Sequence, residues 1–373
     1  MRKKSRLSLA ICLALLLGCS GCYGEQAPVS APGDPSPAVE ETPQPEVIIT
    51  DIGSVTTPVE EAENEPDYYS DSGDENALLV KDENVALSGI LVNKTGDASD
   101  PTADFGENAA ILVQNQDLVL TGGTVYSNGK QAEGLMAYGL QSRILAGNLS
   151  INTVGELSPG VRVSNGGSIR MGQSSVSTTK EDSPALQVYG SFSAEDSKFW
   201  AEEGHCLVLE DGATAEFSAC ELIGERGILY RDDTPAMGKG RLVLAGSLFA
   251  AGEDTILQIE DGDLEIQMKG QQLSGRLHAG YGSLTVILEG ESVFCGVIDG
   301  ENPQGISLIL DASSIWTVTE DTRVGVLLDT DTTLSNIVSN GFTVYYDSSL
   351  EQNAWLESKS HSLPGGGYLV PLI

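Results

Sequence analysis

The chain has 373 residues, and 54 acidic against 20 basic side chains give it a formal net charge of -34 at pH 7. This charge excludes nucleic acid as a partner, because binding a phosphate backbone requires clustered Lys and Arg that displace counterions. Only 6% of the residues are aromatic while 43 are glycine, a composition that favours β structure with many short turns around a thin aliphatic core.

Residues 1–18 predict an export signal, because basic residues precede an apolar run that is too short to span a bilayer as a helix. The run ends in the letters LLGC, which resemble the lipobox of bacterial lipoproteins, with Cys19 as the cysteine. The resemblance implies cleavage before Cys19 and a lipid on its thiol that anchors the chain to the membrane at the cell surface. Cleavage before Cys22 and an uncleaved membrane anchor are the alternatives.

Residues 19–75 predict a disordered acidic tether. The stretch is dense in Pro, Glu, Asp, Ser and Thr and has almost no apolar periodicity to bury. Proline stiffness and repulsion between like charges favour an extended chain. We therefore expect this segment to hold the folded part away from the membrane.

A six-residue phrase then recurs with a small first residue, an aliphatic second, an aliphatic or aromatic fourth, and Asp, Asn or Gly sixth. Its copies are ALLVKD at 77, AILVQN at 110, GLMAYG at 134, GVRVSN at 160, ALQVYG at 185, CLVLED at 206 and GILYRD at 227. Alternation with a period of two, closed by a turn residue, predicts a strand. The intervals of 21 to 33 residues between these starts are those of β-helix coils.

If the phrases stack about 4.8 Å apart, their second and fourth residues form two inward aliphatic ladders. The first ladder is Leu78, Ile111, Leu135, Val161, Leu186, Leu207 and Ile228, and the second is Val80, Val113, Ala137, Val163, Val188, Leu209 and Tyr230. Cys206 falls in the small first column, which favours a buried side chain, and its pairing with Cys220 or Cys295 stays open. The sequence thus predicts an all-β, single-stranded right-handed parallel β-helix of roughly ten coils over residues 76–349, followed by a C-terminal cap at 350–373.

The closing segments LDASSIWTVTEDTRVGVLL, VSNGFTVYYDSS and LPGGGYLVP resemble the adhesin-like right-handed parallel β-helix surface lipoproteins of anaerobic Gram-positive bacteria. The resemblance covers most of residues 76–373, although this family often has His where the chain has Phe342. It implies a fold and a surface location. It transfers no catalytic residue.

Residues with catalytic or metal-binding chemistry are scattered along the chain. No local pairing suggests a metal-ligand or acid–base role for the histidines, which are His205, His278 and His361. Asp232 and Asp233 form the best local carboxylate pair, at the end of a repeated strand, with a solvated turn as the plainer interpretation. The acidic stretches 260–263 and 329–332 offer oxygen ligands for calcium but lack the regular calcium-binding repeat. We expect no catalytic residue, metal or cofactor from these patterns.

The outward third and fifth positions of the repeated strand predict a ligand-binding face, formed by Tyr138, Arg162, Gln187, Tyr189, Glu210 and Arg231. Tyr138 and Tyr189 should lie two coils and roughly 10 Å apart, a spacing suited to stacking on separate sugar rings. Surface decoration, or packing under a loop, is the alternative. The predicted function is a non-enzymatic cell-surface lipoprotein, adhesin-like or structural in the envelope, that presents this face to an extracellular glycan or protein. A polysaccharide-active enzyme, a lyase or glycoside hydrolase using scattered carboxylates and an arginine, is the second hypothesis.

Overall fold

The computed structural model describes residues 65–100, 105–234 and 238–372. These residues form a parallel β-solenoid of about 12 turns, which confirms the predicted fold class. The turns outnumber the roughly ten predicted coils because the repeated phrase loosens after residue 255, where single coils are hard to count from the sequence. The predicted signal peptide, Cys19 and most of the predicted tether lie outside the described residues.

The strands are short, and most alternate between inward and outward side chains. In the first part of the chain they are β1 (Tyr68–Ser70), β2 (Leu78–Val80), β3 (Val85–Lys94), β4 (Ile111–Gln114), β5 (Asp117–Ser127), β6 (Leu135–Tyr138), β7 (Arg143–Thr153), β8 (Val161–Ser164), β9 (Ser168–Gly172), β10 (Ser175–Thr178), β11 (Leu186–Val188), β12 (Ser191–Glu195), β13 (Lys198–Glu210), β14 (Thr214–Ser218) and β15 (Glu221–Arg231).

In the second part they are β16 (Gly240–Ala245), β17 (Leu248–Ala251), β18 (Thr255–Ile259), β19 (Asp263–Lys269), β20 (Gln272–Ala279), β21 (Ser283–Glu289), β22 (Val293–Gly300), β23 (Ile306–Leu310), β24 (Ile315–Val318), β25 (Thr322–Val324), β26 (Val326–Asp329), β27 (Ile337–Val338), β28 (Thr343–Asp347), β29 (His361–Ser362) and β30 (Tyr368–Leu372). Among the described residues, two short 3₁₀ helices span Pro303–Gly305 and Glu351–Leu356. Within the described ranges, no helix is long and apolar enough to cross a membrane.

Each complete coil contributes strand segments to three parallel ladders, which we call faces 1, 2 and 3. Face 1 contains the repeated phrase and runs through β2, β4, β6, β8 and β11 into the second halves of β13 and β15. Face 2 begins with the first half of β3 and continues through β5, β7, β9, β12, β14 and β16. Face 3 begins with β1 and the second half of β3, and continues through β5, β7, β10, β13, β15 and β17. Long strands such as β13 bend at a corner and serve two faces.

Both predicted inward ladders are present in the predicted register. Leu78 pairs with Ile111 at one end, and Leu207 pairs with Ile228 at the other. In the second ladder Leu209 pairs with Tyr230, whose ring is fully buried. Because each coil buries only a thin row of side chains, this core exists only when neighbouring coils stack.

A column of polar side chains, most of them serine, closes the corner before face 3, and we call it the corner ladder. Its members are Ser174, Ser197, Cys220, Ser247, Gln271, Ser292 and Ser314, all of them buried. The backbone N–H of Ser174 donates to Ser197 Oγ (3.1 Å), and that of Cys220 donates to Ser247 Oγ (3.1 Å). These side chains satisfy buried amides at the bend.

The two ends depart from the plain repeat. The first coil begins at Tyr68, inside the segment predicted as tether, because a three-residue strand is too short to show alternation. At the other end Trp355, in the 3₁₀ helix, donates from Nε1 to the Leu327 carbonyl (3.0 Å). Strand β30 pairs in parallel with β28 and antiparallel with β29. The segment predicted as a cap therefore combines a helical turn with a last parallel strand.

No disulfide bond joins the three cysteines of the described residues. Cys206 is fully buried in the core, as the small-residue column predicted, and burial raises the pKa of its thiol. Cys220 occupies a serine position of the corner ladder and donates to the Ser218 carbonyl (3.3 Å). Neither forms a disulfide with Cys295. Cys206 and Cys220 thus serve as small buried side chains in the packing and not as disulfide partners.

Candidate functional site

The two tyrosines predicted to bind sugars lie at the expected positions on face 1, in different surroundings. Tyr138 pairs in register with Ser164, and Tyr189 follows Val188 one rung further on. The Tyr138 ring packs edge-on against Phe105, with 5.8 Å between ring centroids. A loop that includes Phe105 thus engages one of the two rings, which was the alternative weighed for this face.

Arg162 is held in a largely buried ion pair. Its Nη1 lies 2.9 Å from Glu133 Oε1, and the two side chains are 13% and 1% exposed. Burial lowers the pKa of the Arg162 guanidinium, an effect that the nearby Glu210 carboxylate opposes, and burial raises the pKa of the Glu133 carboxyl to about 7. Since the pair lies mostly out of solvent, Arg162 offers little of its guanidinium to a ligand.

The remaining predicted residues bind one another across neighbouring rungs. Gln187 Nε2 donates to Glu210 Oε2 (3.1 Å), and Arg231 Nε donates to Glu210 Oε1 (2.8 Å). Many of the hydrogen-bonding groups on the outward side of face 1 are therefore already bonded to one another. Whether the six predicted residues bind a ligand stays a prediction, and the contacts of Tyr138, Arg162, Gln187, Glu210 and Arg231 already give these five a structural role.

The carboxylate pair suggested by the sequence has a different partner in the fold. Asp232 is almost fully buried, and its Oδ1 shares the Thr234 N–H with Oδ1 of Asp211, at 3.0 and 2.9 Å. Burial, followed by the nearby Asp211 carboxyl, raises the pKa of Asp232. Asp232 lines a groove of about 370 Å³ that Asp261, Asp263 and other residues also line. The carboxylate that shares a hydrogen-bond donor with Asp232 thus belongs to Asp211 of the preceding coil, whereas Asp233 is exposed.

Other chemistry-bearing residues are also paired. His278, for which the sequence offered no partner, places Nδ1 2.7 Å from Asp299 Oδ1 on the next rung. In the acidic stretch 329–332, the Asp331 carboxylate accepts hydrogen bonds from Thr333 and Ser335. Within the described residues, no group of three or more His, Cys, Asp or Glu side chains is placed to hold a metal ion.

Face 3 carries a feature that the sequence reasoning missed, which we call the aromatic strip. Its main column consists of residues paired in one continuous register across six rungs, and these are Tyr69, Asn93, Tyr126, Asn152, Ser177 and Trp200. Beside it runs a second outward column of Leu91, Thr124, Ser150 and Ser175. Since outward residues of parallel strands stack directly, the strip is a flat row of aromatic rings, amides and hydroxyls.

The side chains of the strip are available to solvent. Tyr69 and Trp200 are 53% and 49% exposed, and Thr124, Ser150, Asn152 and Ser175 are exposed as well. Asn93 lies between two tyrosines and is half-buried, and its buried Oδ1 accepts no hydrogen bond within the described part of the chain. The strip therefore presents apolar ring faces beside the exposed hydroxyls of Thr124, Ser150 and Ser175 and the exposed amide of Asn152.

All ten residues of the strip are uncharged, which is unusual in a chain with a net charge of -34. Charge returns at both ends, with Asp67 before the first rung and an ion pair between Lys198 and Glu221 (2.8 Å) beside the last. The other two faces carry ion pairs on their outward surfaces, such as Arg231 with Glu210 on face 1 and Arg170 with Glu195 on face 2.

The strip escaped the sequence reasoning because its strands lack a recurring phrase. Tyr69 lies in a three-residue strand, Tyr126 at the end of β5 and Trp200 near the start of β13, at intervals that no fixed period relates. The only signal in the sequence is an aromatic or Asn beside alternating aliphatic residues, as in GILVNK and GTVYSN. Only the pairing register between successive coils shows that the three aromatic residues lie in one column.

No protein-family model matches the chain, and no curated protein or solved structure is detectably similar to it.

Proposed function

We propose that the chain is a non-enzymatic, lipid-anchored cell-surface protein that binds an uncharged glycan through the aromatic strip. The observation that carries the proposal is the strip itself, in which Tyr69, Tyr126 and Trp200 share one outward column without a charged neighbour in between. This supports the glycan-binding function expected from the sequence and moves it from face 1 to face 3.

The chemistry of the strip suits sugars. Aromatic rings pack against the apolar faces of sugar rings, and they supply contact area at low cost in side-chain entropy. Amides and hydroxyls such as those of Asn152 and Ser150 donate to and accept from sugar hydroxyls. Because parallel ladders hold the strip in place, little conformational freedom is lost on binding.

The charge of the chain favours an uncharged ligand. A net charge of -34 repels polymers rich in carboxylates or sulfates. A strongly cationic partner would be drawn to the acidic surfaces elsewhere rather than to ten uncharged side chains. An uncharged ligand pays no electrostatic penalty at the strip.

The anchoring part of the proposal rests on the sequence. The LLGC motif supports a lipid on Cys19, and two or three acyl chains hold a protein stably in a membrane. The acidic, Pro-rich stretch that follows supports a spacer between membrane and solenoid. Such an arrangement suits an adhesin-like or structural protein of the cell envelope.

A glycan array probed with the full chain, purified in mild detergent, tests the proposal. We expect binding to uncharged glycans, and roughly five- to hundredfold weaker binding by a Tyr69→Ala, Trp200→Ala double variant, since each stacked ring contributes about two- to tenfold. Tyr368→Ala is the matched control, because Tyr368 is also 53% exposed and lies outside the strip. Absence of glycan binding, or equal binding by the double variant, would contradict the proposal.

A polysaccharide-active enzyme is the second candidate, and the groove at Asp232 is the observation in its favour. A buried carboxyl with a raised pKa beside other carboxylates has the character of a general acid. Release of reducing sugar or of an unsaturated product from a polysaccharide panel, abolished by Asp232→Asn, would support this candidate over simple binding.

A further inference from the structure

The aromatic strip has a direction. Its three aromatic residues occupy a single column, and the first and last lie five rungs apart, or about 24 Å at about 4.8 Å per rung. Tyr126 lies two rungs from Tyr69 and three from Trp200. A ligand that ran along the strands would cross this column once and meet one ring, whereas a ligand that ran along the solenoid axis would meet all three.

The polar groups of the strip follow the same direction. Between the rings lie Asn93, then Asn152 and Ser177, in the same column. The neighbouring column adds Thr124 and Ser150, which are exposed. An extended ligand along the axis would therefore alternate between ring faces and hydrogen-bonding groups, with no charged side chain until the ends.

The ends of the strip set its length. Asp67 precedes the Tyr69 rung, and the ion-paired Lys198 and Glu221 flank Trp200. Beyond the Trp200 end the column continues along face 3, where Ile223 pairs with Trp200 and Ala250 pairs with Ile223. A polymer can thus continue along the surface past the Trp200 end.

From this geometry we infer that the ligand is a linear, uncharged polysaccharide that lies parallel to the solenoid axis and is recognised along an internal segment rather than at its end. The inference rests on the proposed function and gives it a substrate class. Affinity then depends on the number of rings that one ligand reaches. A short oligosaccharide reaches one ring and binds weakly, and a chain that spans about 24 Å reaches three.

Calorimetric titration of the full chain with an oligosaccharide series, cut from the uncharged polysaccharide that binds best on the array, tests the inference. Affinity should rise with length until one oligomer spans Tyr69 to Trp200 and then level off. For that oligomer, Tyr69→Ala and Trp200→Ala should each weaken binding by up to roughly tenfold. For the shortest oligomers, each substitution should change affinity less than twofold to threefold, because a free ring remains. Tyr69→Phe and Trp200→Phe should largely restore binding, since stacking needs only the ring.

The outcomes separate the two proposals. Affinity that stops rising at an oligomer too short to reach two rings would overturn the lengthwise ligand while leaving glycan binding intact. Equal affinity for a uronate polymer of the same length would overturn the uncharged class. Blocking or modifying both ends of the longest oligomer should leave its affinity unchanged, and a large loss would overturn internal recognition. Binding to no glycan at all would overturn the proposed function together with this inference. Dimerisation that Trp200→Ala abolishes would assign the strip to self-association instead.

Discussion

Replacing Ser197 by Ala tests the corner ladder most directly. Ser197 is 1% exposed, and its Oγ accepts from the Ser174 N–H (3.1 Å) while donating to the Glu195 carbonyl (2.8 Å). The Glu195 carbonyl keeps another donor, the Gln173 N–H (3.1 Å), whereas the Ser174 N–H loses its acceptor. An unsatisfied buried N–H costs about 1–3 kcal/mol, so we expect Ser197→Ala to lower the free energy of unfolding by roughly that amount.

The chain supplies its own control for this substitution. Cys220 occupies the equivalent position one coil later, where the thiol donates to Ser218 and the N–H of Ser197 approaches the sulfur. Ser197→Cys should therefore retain part of the hydrogen bonding and cost less than half as much as Ser197→Ala. Conversely, Cys220→Ser should be neutral or mildly stabilising, because a hydroxyl is the stronger hydrogen-bonding group.

Urea unfolding of the full chain, followed by far-UV circular dichroism, measures these differences through the midpoint and slope. Equal losses for Ser197→Ala and Ser197→Cys would refute the reasoning, because the effect would then come from the lost hydroxyl's packing rather than from the Ser174 amide. A loss below about 0.5 kcal/mol for Ser197→Ala would refute it as well, since the amide would then have found another partner.

Three further predictions concern charge and anchoring. Arg162→Ala should lower the free energy of unfolding by about 3 kcal/mol at pH 8, where it leaves Glu133 charged and buried. The loss should be smaller at pH 5, because the pKa of the Glu133 carboxyl is raised from 4.5 to about 7, so that its contribution to stability is present below 4.5 and is lost as the pH rises through 7. Equal losses in urea unfolding at the two pH values would contradict this. The Asp331 carboxyl should titrate near pH 2 by ¹³C NMR, because hydrogen bonds from Ser335 and Thr333 lower its pKa. Its contribution to stability should be present above pH 3.8 and lost as the pH falls through 2. A titration midpoint close to 3.8 would show that these hydrogen bonds do not hold the turn. Metabolic labelling with a fatty-acid probe should mark the wild-type chain and the Cys22→Ser variant but not Cys19→Ser, and the reverse pattern would place the lipid on Cys22.

The repeated phrase carried most of the fold prediction. Aliphatic second and fourth residues, each phrase closed by a turn residue, identified two ladders whose pairings the structure reproduces, from Leu78 with Ile111 to Leu209 with Tyr230. This worked because a parallel stack forces equivalent positions of successive coils into contact, so that burial repeats in the sequence. The count of coils was less accurate, since strands without the phrase pair just as well.

The candidate site was predictable only in part. Alternation correctly placed Tyr138 and Arg162 on the outward side of face 1, yet gave no information on what covers them. Phe105 and Glu133 reach these residues from loops, and loop paths follow no period. The aromatic strip was invisible for a related reason, because its residues come from strands whose spacing varies with the length of the intervening turns.

The amino-acid sequence by itself determined the class of fold, the inward ladders and the acidic character of the chain, because these follow from composition and from a local period of two. Only the tertiary structure decided which outward residues meet. Stacking distance depends on the register between coils, and that register depends on turns of unequal length, corner hydrogen bonds and bends such as the one in β13. Tyr69, Tyr126 and Trp200 are 57 and 74 residues apart in the chain, and the ladder of face 3 alone places them in one row.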